Sequence, residues 1–405
     1  MKWEKVKLGD VCEITSSKRI FYSEYVDDGV PFYRSKEIIE SDEGKIIENP
    51  LYISVDKYNE IKEKYGVPQT GDMLLTSVGT IGIPYIIKKK DCFYFKDGNL
   101  TWFRDFREGL NSKYLYYWIK SSEGTGTLYN TTIGSSQKAL TISALKNIKV
   151  SLPPRSVQDK IVEVVSAYDN LIENNQKQIK LLEEAAQRLY KEWFVDLCFP
   201  GHENTKIVDG VPEGWNWCKL EDAIQLDPKV TLTKERMKQF IPMSALSTSS
   251  MVLDESQFTE TTSNSGSKFQ NGDTLLARIT PCLENGKTAY VSGLKSDEGA
   301  VGSTEYIVMR AKTINSYMVY LLARTDDFRQ SAINSMSGSD GRQRVKSDKL
   351  KMLDYLHPTS ELVEKFENVE EPIFEKIYRL SKQMQQAKQA RDLLLPKLMS
   401  GEVEV

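Results

Sequence analysis

The chain has 405 residues, 40% of them hydrophobic, and this length predicts two to four domains that each bury a core. Its 54 basic and 57 acidic residues give a net charge of -3, which argues against a protein that binds polyanions over its whole surface. Five scattered cysteines without a C-x-x-C pair indicate neither a zinc site nor a disulfide framework. The N-terminus lacks the apolar core of a signal peptide, so we expect a cytoplasmic protein without membrane spans.

Residues 1–154 are the first predicted domain, of mixed α and β structure. Apolar and β-branched runs, punctuated by Gly, Pro, Asn and Asp, predict short strands, and Tyr114–Ile119 predicts a short helix. Pro153 and Pro154 end the domain. The runs predicted as strands include Met73–Val78, Ile81–Ile87 and Leu100–Phe103.

Residues 155–199 predict a long helix with a heptad seam. Seam residues recur alternately four and three positions apart from Ile161 to Trp193, which is the rhythm of a coiled coil. Asn175 is the clearly polar residue on this seam. A buried Asn at such a position fixes the register and needs an amide partner across the interface.

Residues 200–358 repeat the first domain, and residues 359–405 repeat the helix. The order of matching segments is kept, while the shift between them drifts from 201 to 212 residues, as small insertions between two related domains would cause. A chain built this way presents two similar surfaces. In chain order, the matching pairs are Trp3–Asp10 with Trp215–Asp222, Gly71–Leu75 with Gly272–Leu276, Asn111 with Asn315, Leu145 with Leu350, and Pro153 with Pro358.

The second helix carries a seam from Phe366 to Leu398, interrupted by Pro372 and Pro396. Pro372 predicts a kink or the true start of this helix. The simplest partner for the first helix is the second, packed antiparallel in an intramolecular coiled coil; the alternative is that each helix packs on its own domain. The predicted fold class is α+β, with two similar mixed α/β domains joined by two long antiparallel helices.

Few residues suggest catalysis. His202 and His357 have no helical H-x-x-x-H partner, and no G-x-x-x-x-G-K-[ST] nucleotide loop is present. Asn49–Tyr52 begins like the N-P-P-[YF] loop of amino-methyltransferases, but it lacks the second proline and a glycine-rich S-adenosylmethionine motif. We expect no catalytic residues, no metal site and no cofactor in this chain. The sequence favours a binding or scaffold protein over an enzyme with unrecognised motifs.

Polar loops present in both halves are the candidate binding sites. They mix glycine, small hydroxyls, amides and cations, which suits contacts to phosphates and, through Gln or Arg, to base edges; the alternative is an ordinary flexible loop. The candidate DNA contacts of the first half are Arg34, Ser35, Lys36, Ser77, Thr80, Ser135, Ser136, Gln137 and Lys138. Those of the second half are Arg278, Thr280, Ser339, Arg342, Gln343 and Arg344.

Five segments, in this order and across essentially the whole chain, make it resemble a specificity subunit of type I restriction–modification systems. They are GDMLLTSVGTIG (71–82), LKNIKVSLPP (145–154), RLYKEWFVDLCFPGHE (188–203), VPEGWNWCKLED (211–222) and LLLPKLMSGEVEV (393–405).

The resemblance implies that each globular half is a target recognition domain for one half of a split DNA sequence, with the helices as spacer. It implies a non-catalytic subunit that assembles with two modification subunits, which bind S-adenosylmethionine and methylate adenine. Two ATP-dependent restriction subunits can join them. Residues that differ between matched loops, such as Gln137 and Arg342 or Ser77 and Arg278, should then carry the different base readouts. The competing hypothesis is an assembly scaffold that does not read DNA.

Overall fold

The chain divides into two units that share both long helices. The computed structural model describes residues 3–42, 47, 49–134, 138–338 and 343–405. One unit comprises Met1–Leu171 and Ala387–Val405, and the other Ile172–Gln386. Each unit therefore contains one globular domain and one stretch of each long helix.

The first globular domain and the helix that follows it alternate short strands and helices. They comprise β1 (Glu4–Lys7), β2 (Glu13–Thr15), β3 (Tyr25–Val26), β4 (Val30–Tyr33), α1 (Ser35–Asp42), β5 (Leu51–Ile53), α2 (Val55–Tyr65), β6 (Met73–Thr76), β7 (Pro84–Ile86), β8 (Tyr94–Phe95), β9 (Leu100–Arg104), α3 (Ser112–Lys120), α4 (Ser122–Thr131), α5 (Ile142–Asn147), β10 (Lys149–Leu152) and α6 (Arg155–Phe194).

The second globular domain and its helix follow a related order. They comprise β11 (Ile207–Val208), β12 (Val211–Pro212), β13 (Asn216–Lys219), α7 (Leu220–Ala223), β14 (Ile224–Leu226), β15 (Lys238–Ile241), β16 (Thr259–Thr261), β17 (Ser267–Phe269), β18 (Thr274–Ala277), β19 (Thr288–Tyr290), β20 (Ala300–Gly302), β21 (Tyr306–Ala311), α8 (Ser316–Arg324), α9 (Asp326–Asn334), α10 (Ser347–Lys351), β22 (Asp354–His357) and α11 (Ser360–Ser400).

One four-stranded antiparallel sheet is built identically in the two domains. Its strand order is β2-β9-β6-β7 in the first domain and β14-β21-β18-β19 in the second. A two-stranded pair, β1 with β10 and β13 with β22, closes each domain just before its long helix. The sequence repeat is therefore a repeat of structure.

The other four-stranded sheet differs in its edge strand. Both domains contain a parallel pair, β4 with β8 and β15 with β20, flanked by β5 and β16 respectively. The fourth strand, β3, pairs with β5 in the first domain, whereas β17 pairs with β20 in the second. The two domains thus share a frame and diverge at its edges.

Side-chain alternation along the central strand β6 separates two of the cores in the first domain. Met73 and Leu75 of β6 point into the core that contains α3, while Leu74 points into a second core with Trp102. Since successive residues of a strand face opposite sides of a sheet, this apolar strand is buried on both faces.

The helix predicted over Tyr114–Ile119 is confirmed as α3, and its cap is duplicated in α8. Asn111 accepts a hydrogen bond from the Lys113 N–H at 2.9 Å, and Asn315 accepts one from the Met318 N–H at 2.9 Å. The caps also tie each domain to the long helix that follows it, because their amide groups donate to Asp159 and to the Val363 carbonyl. A side-chain cap of this kind satisfies an N–H group that the first turn leaves unpaired.

The long helices correct two sequence-based expectations. α6 ends at Phe194 instead of near Phe199, and α11 runs without interruption from Ser360 to Ser400. Pro372 is therefore neither the start of α11 nor a break in it. The helices have nearly equal lengths of 40 and 41 residues.

The helices pair antiparallel, as the sequence predicts. In the first unit the Arg391 guanidinium contacts Asp169 at 2.7 Å, and in the second unit the Asn175 amide donates to Gln383 at 3.1 Å. Contact positions move backwards along α6 as they move forwards along α11, which defines the antiparallel direction. The heptad rhythm is thus an intramolecular seam.

Candidate nucleic-acid interface

Two of the predicted loops lie side by side in the first domain. The strand-end loop, residues 77–80, follows β6, and the hairpin loop, described at residues 132–134 and 138, follows α4. Ile133 and Ala139 exchange backbone hydrogen bonds of 2.9 Å, and the Leu140 N–H donates to the Ser77 carbonyl at 2.8 Å. A bridge between Val78 and Ala139 completes the junction.

The second domain builds the same junction. Its strand-end loop is 278–280, and its hairpin loop is described at residues 335–338 and 343–344. Ser337 and Arg344 exchange backbone hydrogen bonds of 3.1 and 3.0 Å, and the Val345 N–H donates to the Arg278 carbonyl at 2.9 Å. Ile279 bridges to Arg344, matching Val78 and Ala139. Backbone pairing thus brings together loops that the sequence indicated separately.

Ser77 is a correction to the predicted contacts. It is 1% exposed, and its hydroxyl lies 2.6 Å from the Thr101 hydroxyl and 3.2 Å from the Leu75 carbonyl. Its backbone N–H donates to the Asn99 carbonyl at 2.8 Å. These contacts hold the sheet together and remove the hydroxyl from solvent. Of the first strand-end loop, Thr80 at the tip is exposed.

Lys138 is the described cation of the first hairpin loop. Its Nζ atom lies 3.4 Å from the ring centroid of Tyr129, which is 58% exposed. A hydrogen bond from Lys138 lowers the pKa of the Tyr129 phenol. The aromatic ring therefore holds the ammonium group near the loop, where sequence pattern alone gave Tyr129 no role.

The strand-end loop of the second domain contains Arg278 and Thr280. The Arg278 guanidinium donates to the Val345 carbonyl at 3.0 and 3.1 Å, and its backbone N–H donates to the Glu305 carbonyl. The Thr280 N–H donates to the Gln343 carbonyl at 3.2 Å. Arg278 is thus held at the junction by its own side chain.

Arg344 forms an ion pair with Glu305. The guanidinium nitrogens of Arg344 donate to the carboxylate oxygens at 2.7 to 3.0 Å, and the Arg344 side chain remains 44% exposed. The hydrogen bond from Arg344 lowers the pKa of Glu305.

Arg34, Ser35 and Lys36 lie at the start of α1. Arg34 donates to Glu37 through its backbone N–H at 2.7 Å and its guanidinium at 2.6 Å. The Ser35 hydroxyl donates to the Asn99 carbonyl at 3.4 Å, the same carbonyl that Ser77 contacts. Lys36 is the more exposed cation, 59% accessible beside Glu40. Arg34 accordingly has a structural contact, and it is 35% exposed.

Five predicted contacts lie outside the described residues. They are Ser135, Ser136, Gln137, Ser339 and Arg342.

The carbonyls of Asn99 and Glu305 are the contacts that sequence reasoning missed. Each precedes the central strand of its sheet and accepts the N–H of the residue that opens the strand-end loop, at 2.8 and 2.9 Å. Because both contacts use backbone atoms, side-chain identity gave no signal. The Gly-Asp pairs before β6 and β18, in contrast, are visible in the sequence as part of the repeat. Gly71 and Gly272 have φ of 93° and 87°, a left-handed conformation that favours glycine.

The described part of the chain contains no group of three or more His, Cys, Asp or Glu side chains placed to hold a metal ion. Among the same residues, no helix is both long and apolar enough to cross a membrane.

Comparison with known proteins shows what the chain resembles. Residues 1–184 match the family model for the type I restriction modification DNA specificity domain. Over 424 residues the chain is 27% identical to the type I restriction enzyme MjaIX specificity subunit of Methanocaldococcus jannaschii, an alignment covering 100% of this chain and 94% of the relative. Over 140 residues it is 35% identical to the EcoAI specificity subunit of Escherichia coli, covering 33% of this chain and 24% of the relative.

The fold has a solved counterpart. A crystal structure of the type I restriction–modification S subunit from M. genitalium superposes with a TM-score of 0.61, covering 98% of this chain and 96% of the other at 14% identity. The fold class is therefore a pair of similar α+β domains, each followed by a long helix. Within that fold, residues 1–184 match the type I DNA specificity domain, and the whole chain is similar to type I restriction enzyme specificity subunits.

Proposed function

We propose that the chain is the DNA sequence-specificity subunit of a type I restriction–modification complex, with each globular domain reading one half of a bipartite target. The observation that carries this is the duplicated junction of strand-end and hairpin loops. The frame is the same in both domains while the side chains on it differ, as two readers of unlike half-sites require.

Within this function, solvent-accessible cations of the loops and of the start of α1 approach DNA. Lys138 and Lys36 in the first domain and Arg344 in the second contact phosphates or base edges, while Arg278 shapes the junction. Thr80, Thr280 and Gln343 contribute polar groups at the loop tips. Arginine pairs with guanine in the major groove and threonine meets several acceptors, so the two domains can recognise different bases.

The paired helices α6 and α11 set the number of unread base pairs between half-sites and dock two modification subunits. Those subunits bind S-adenosylmethionine and methylate adenine, and two restriction subunits can join them. A net charge of -3 fits this division, because the partners then supply much of the attraction for the duplex. The complex acts on chromosomal DNA and is therefore cytoplasmic.

The decisive experiment is a genome-wide map of adenine methylation in cells that express this chain with its modification subunit. Two short half-sites around a fixed gap are expected. A continuous motif would mean that one domain alone reads DNA. An absent motif, with the modification subunit active beside another specificity chain, would favour a scaffold.

The chain itself is proposed to be non-catalytic. Purified chain incubated with labelled S-adenosylmethionine and DNA should transfer no methyl group. If stringently purified chain transfers methyl groups, and the transfer is lost when the chain is removed from the sample, the enzymatic function belongs to this subunit instead.

A further inference from the structure

The segment between β2 and β3 presents cations and aromatic rings to solvent. Lys18 and Arg19 are exposed, Phe21 is 62% exposed, and Tyr22 is 90% exposed. These two aromatic side chains leave most of their surface in water. Tyr and Arg are the residues most enriched at the energetic centres of interfaces.

The segment is held rigidly. The Phe21 N–H donates to the Glu24 carboxylate at 2.8 Å, and Glu24 pairs with Lys57 at 2.9 Å. The Lys18 N–H donates to the Tyr94 hydroxyl at 2.7 Å. Because the backbone is fixed at both ends, presenting Tyr22 to a partner costs little ordering entropy.

A row of aromatic rings supports Tyr22 from the core. Tyr22 meets Tyr25 edge-on at 5.8 Å between centroids, Tyr25 meets Phe32 at 5.3 Å, and Phe32 meets buried Tyr94 at 6.5 Å. Tyr22 is thus the solvent end of a packed row. Rigid aromatic anchors of this kind supply contact area at low entropic cost.

The segment is continuous with the candidate interface of the first domain. Arg19 pairs with Asp97 at 2.7 Å, in the turn that ends at Asn99. The Asn99 carbonyl accepts from both Ser77 and Ser35, the residues at the strand-end loop and at the start of α1. One turn therefore links three surface segments.

The second domain carries a comparable segment at the same place in its topology, between β14 and β15. Lys234 and Arg236 are exposed there, Met237 is 58% exposed, and Arg236 pairs with Glu298 at 2.8 Å. Both segments therefore place exposed cations beside a large apolar side chain, although their sequences differ. That combination is expected where two domains contact different DNA half-sites.

We propose that Lys18–Tyr22 is a DNA-contacting segment of the first domain, in which Tyr22 packs against nucleobases of the half-site and Lys18 and Arg19 approach phosphates. The inference rests on the proposed function and extends it to a surface outside the paired loops. Double-stranded DNA is favoured over a protein partner because both exposed cations flank the rings, and because the segment adjoins the loop junction.

The test uses the complex assembled with modification subunits, a duplex carrying the mapped motif, and a duplex with the first half-site scrambled. Tyr22→Ala should weaken binding to the motif duplex roughly tenfold, the effect of losing an interfacial aromatic anchor. Tyr22→Phe should bind like the parent chain. Trp217→Ala, which removes a ring that is 61% exposed on β13, is the matched control and should leave affinity unchanged.

The remaining readouts separate the possible failures. Lys18→Gln should lower the slope of log affinity against log salt by about 1, since it removes one phosphate contact. Unchanged affinity and methylation with Tyr22→Ala would overturn the proposal, and so would loss of subunit assembly, which would mark a protein contact. If the parent complex does not distinguish the two duplexes, the proposed function itself fails, whatever Tyr22 does.

Discussion

Two polar side chains are buried on the helix seam within the second unit, and their surroundings differ. Asn175 is 2% exposed and its amide reaches Gln383. Glu370 has no exposed surface, and neither of its carboxylate oxygens has a hydrogen-bond partner among the described residues. Burial raises the pKa of Glu370 to about 7. Asn175 fixes the register of the two helices, whereas Glu370 destabilises the second unit when its carboxylate is ionised.

Glu370 makes the stability of the second unit depend on pH. The pKa is raised in the folded chain, so folding takes up a proton. The stabilising protonated form is fully present below the ordinary carboxyl pKa and is lost as pH rises towards about 7. Glu370→Leu should therefore raise the free energy of unfolding at pH 8 by roughly 2–3 kcal/mol, and by less at pH 5. The measurement is the thermal unfolding midpoint at the two pH values.

Glu371→Gln, at the exposed neighbouring position, is the control and should change neither midpoint. Equal stabilisation by Glu370→Leu at both pH values would show that folding does not raise the pKa of this carboxyl.

Asn175 trades stability for register. Asn175→Leu should raise the free energy of unfolding by roughly 1 kcal/mol, because the seam gains apolar burial and the exposed Gln383 amide can turn to water. Thermal unfolding measures the change, with Asn174→Leu on the exposed face of α6 as the control. A lower midpoint for Asn175→Leu than for Asn174→Leu would mean that the Asn175–Gln383 bond contributes net stability.

At the scale of elements, the repeat is a repeat of connections as well as of strands. Each domain is tied to the long helix that follows it by a capping asparagine at the matching position. This residue is Asn111 in the first domain and Asn315 in the second. Further contacts run to α6, where Asp169 accepts from the Tyr117 hydroxyl and Glu183 accepts from the Met251 N–H, each at 2.7 Å. The helices are therefore built into the domains that they connect.

Lengthening both helices tests whether they set the spacer. Seven residues of seam rhythm, inserted after Leu171 in α6 and after Gln386 in α11, add about 10 Å to each helix. The methylated motif should then keep both half-sites while its gap grows by about three base pairs, at 3.4 Å each. The measurement is again the map of adenine methylation.

An insertion in α6 alone is the control, and it should lower thermal stability because the seam residues lose their partners. A methylated motif with the original gap in the double insertion would reject the helices as a ruler.

On the scale of the whole molecule, specificity should divide along the chain. Replacing residues 1–154 with the first domain of a type I specificity subunit should change one half-site and preserve the other, because each domain has its own sheets, cores and loop junction. Methylation mapping reads the result directly. A change in both half-sites would show that the domains do not read independently, and the reciprocal replacement of residues 200–358 provides the matched control.

The sequence alone determined the duplication, the heptad seam with Asn175, and the resemblance to specificity subunits, because periodicity and repeated segments are local properties of the chain. The continuous helix through Pro372, the burial of Ser77 and the isolation of Glu370 were decided by tertiary structure. Packing against a neighbouring helix can hold a proline-containing segment helical, and a strand buried on both faces removes its polar side chains from solvent. Solvent exposure distinguishes a surface contact from a structural one, and exposure is set by residues that are distant in sequence.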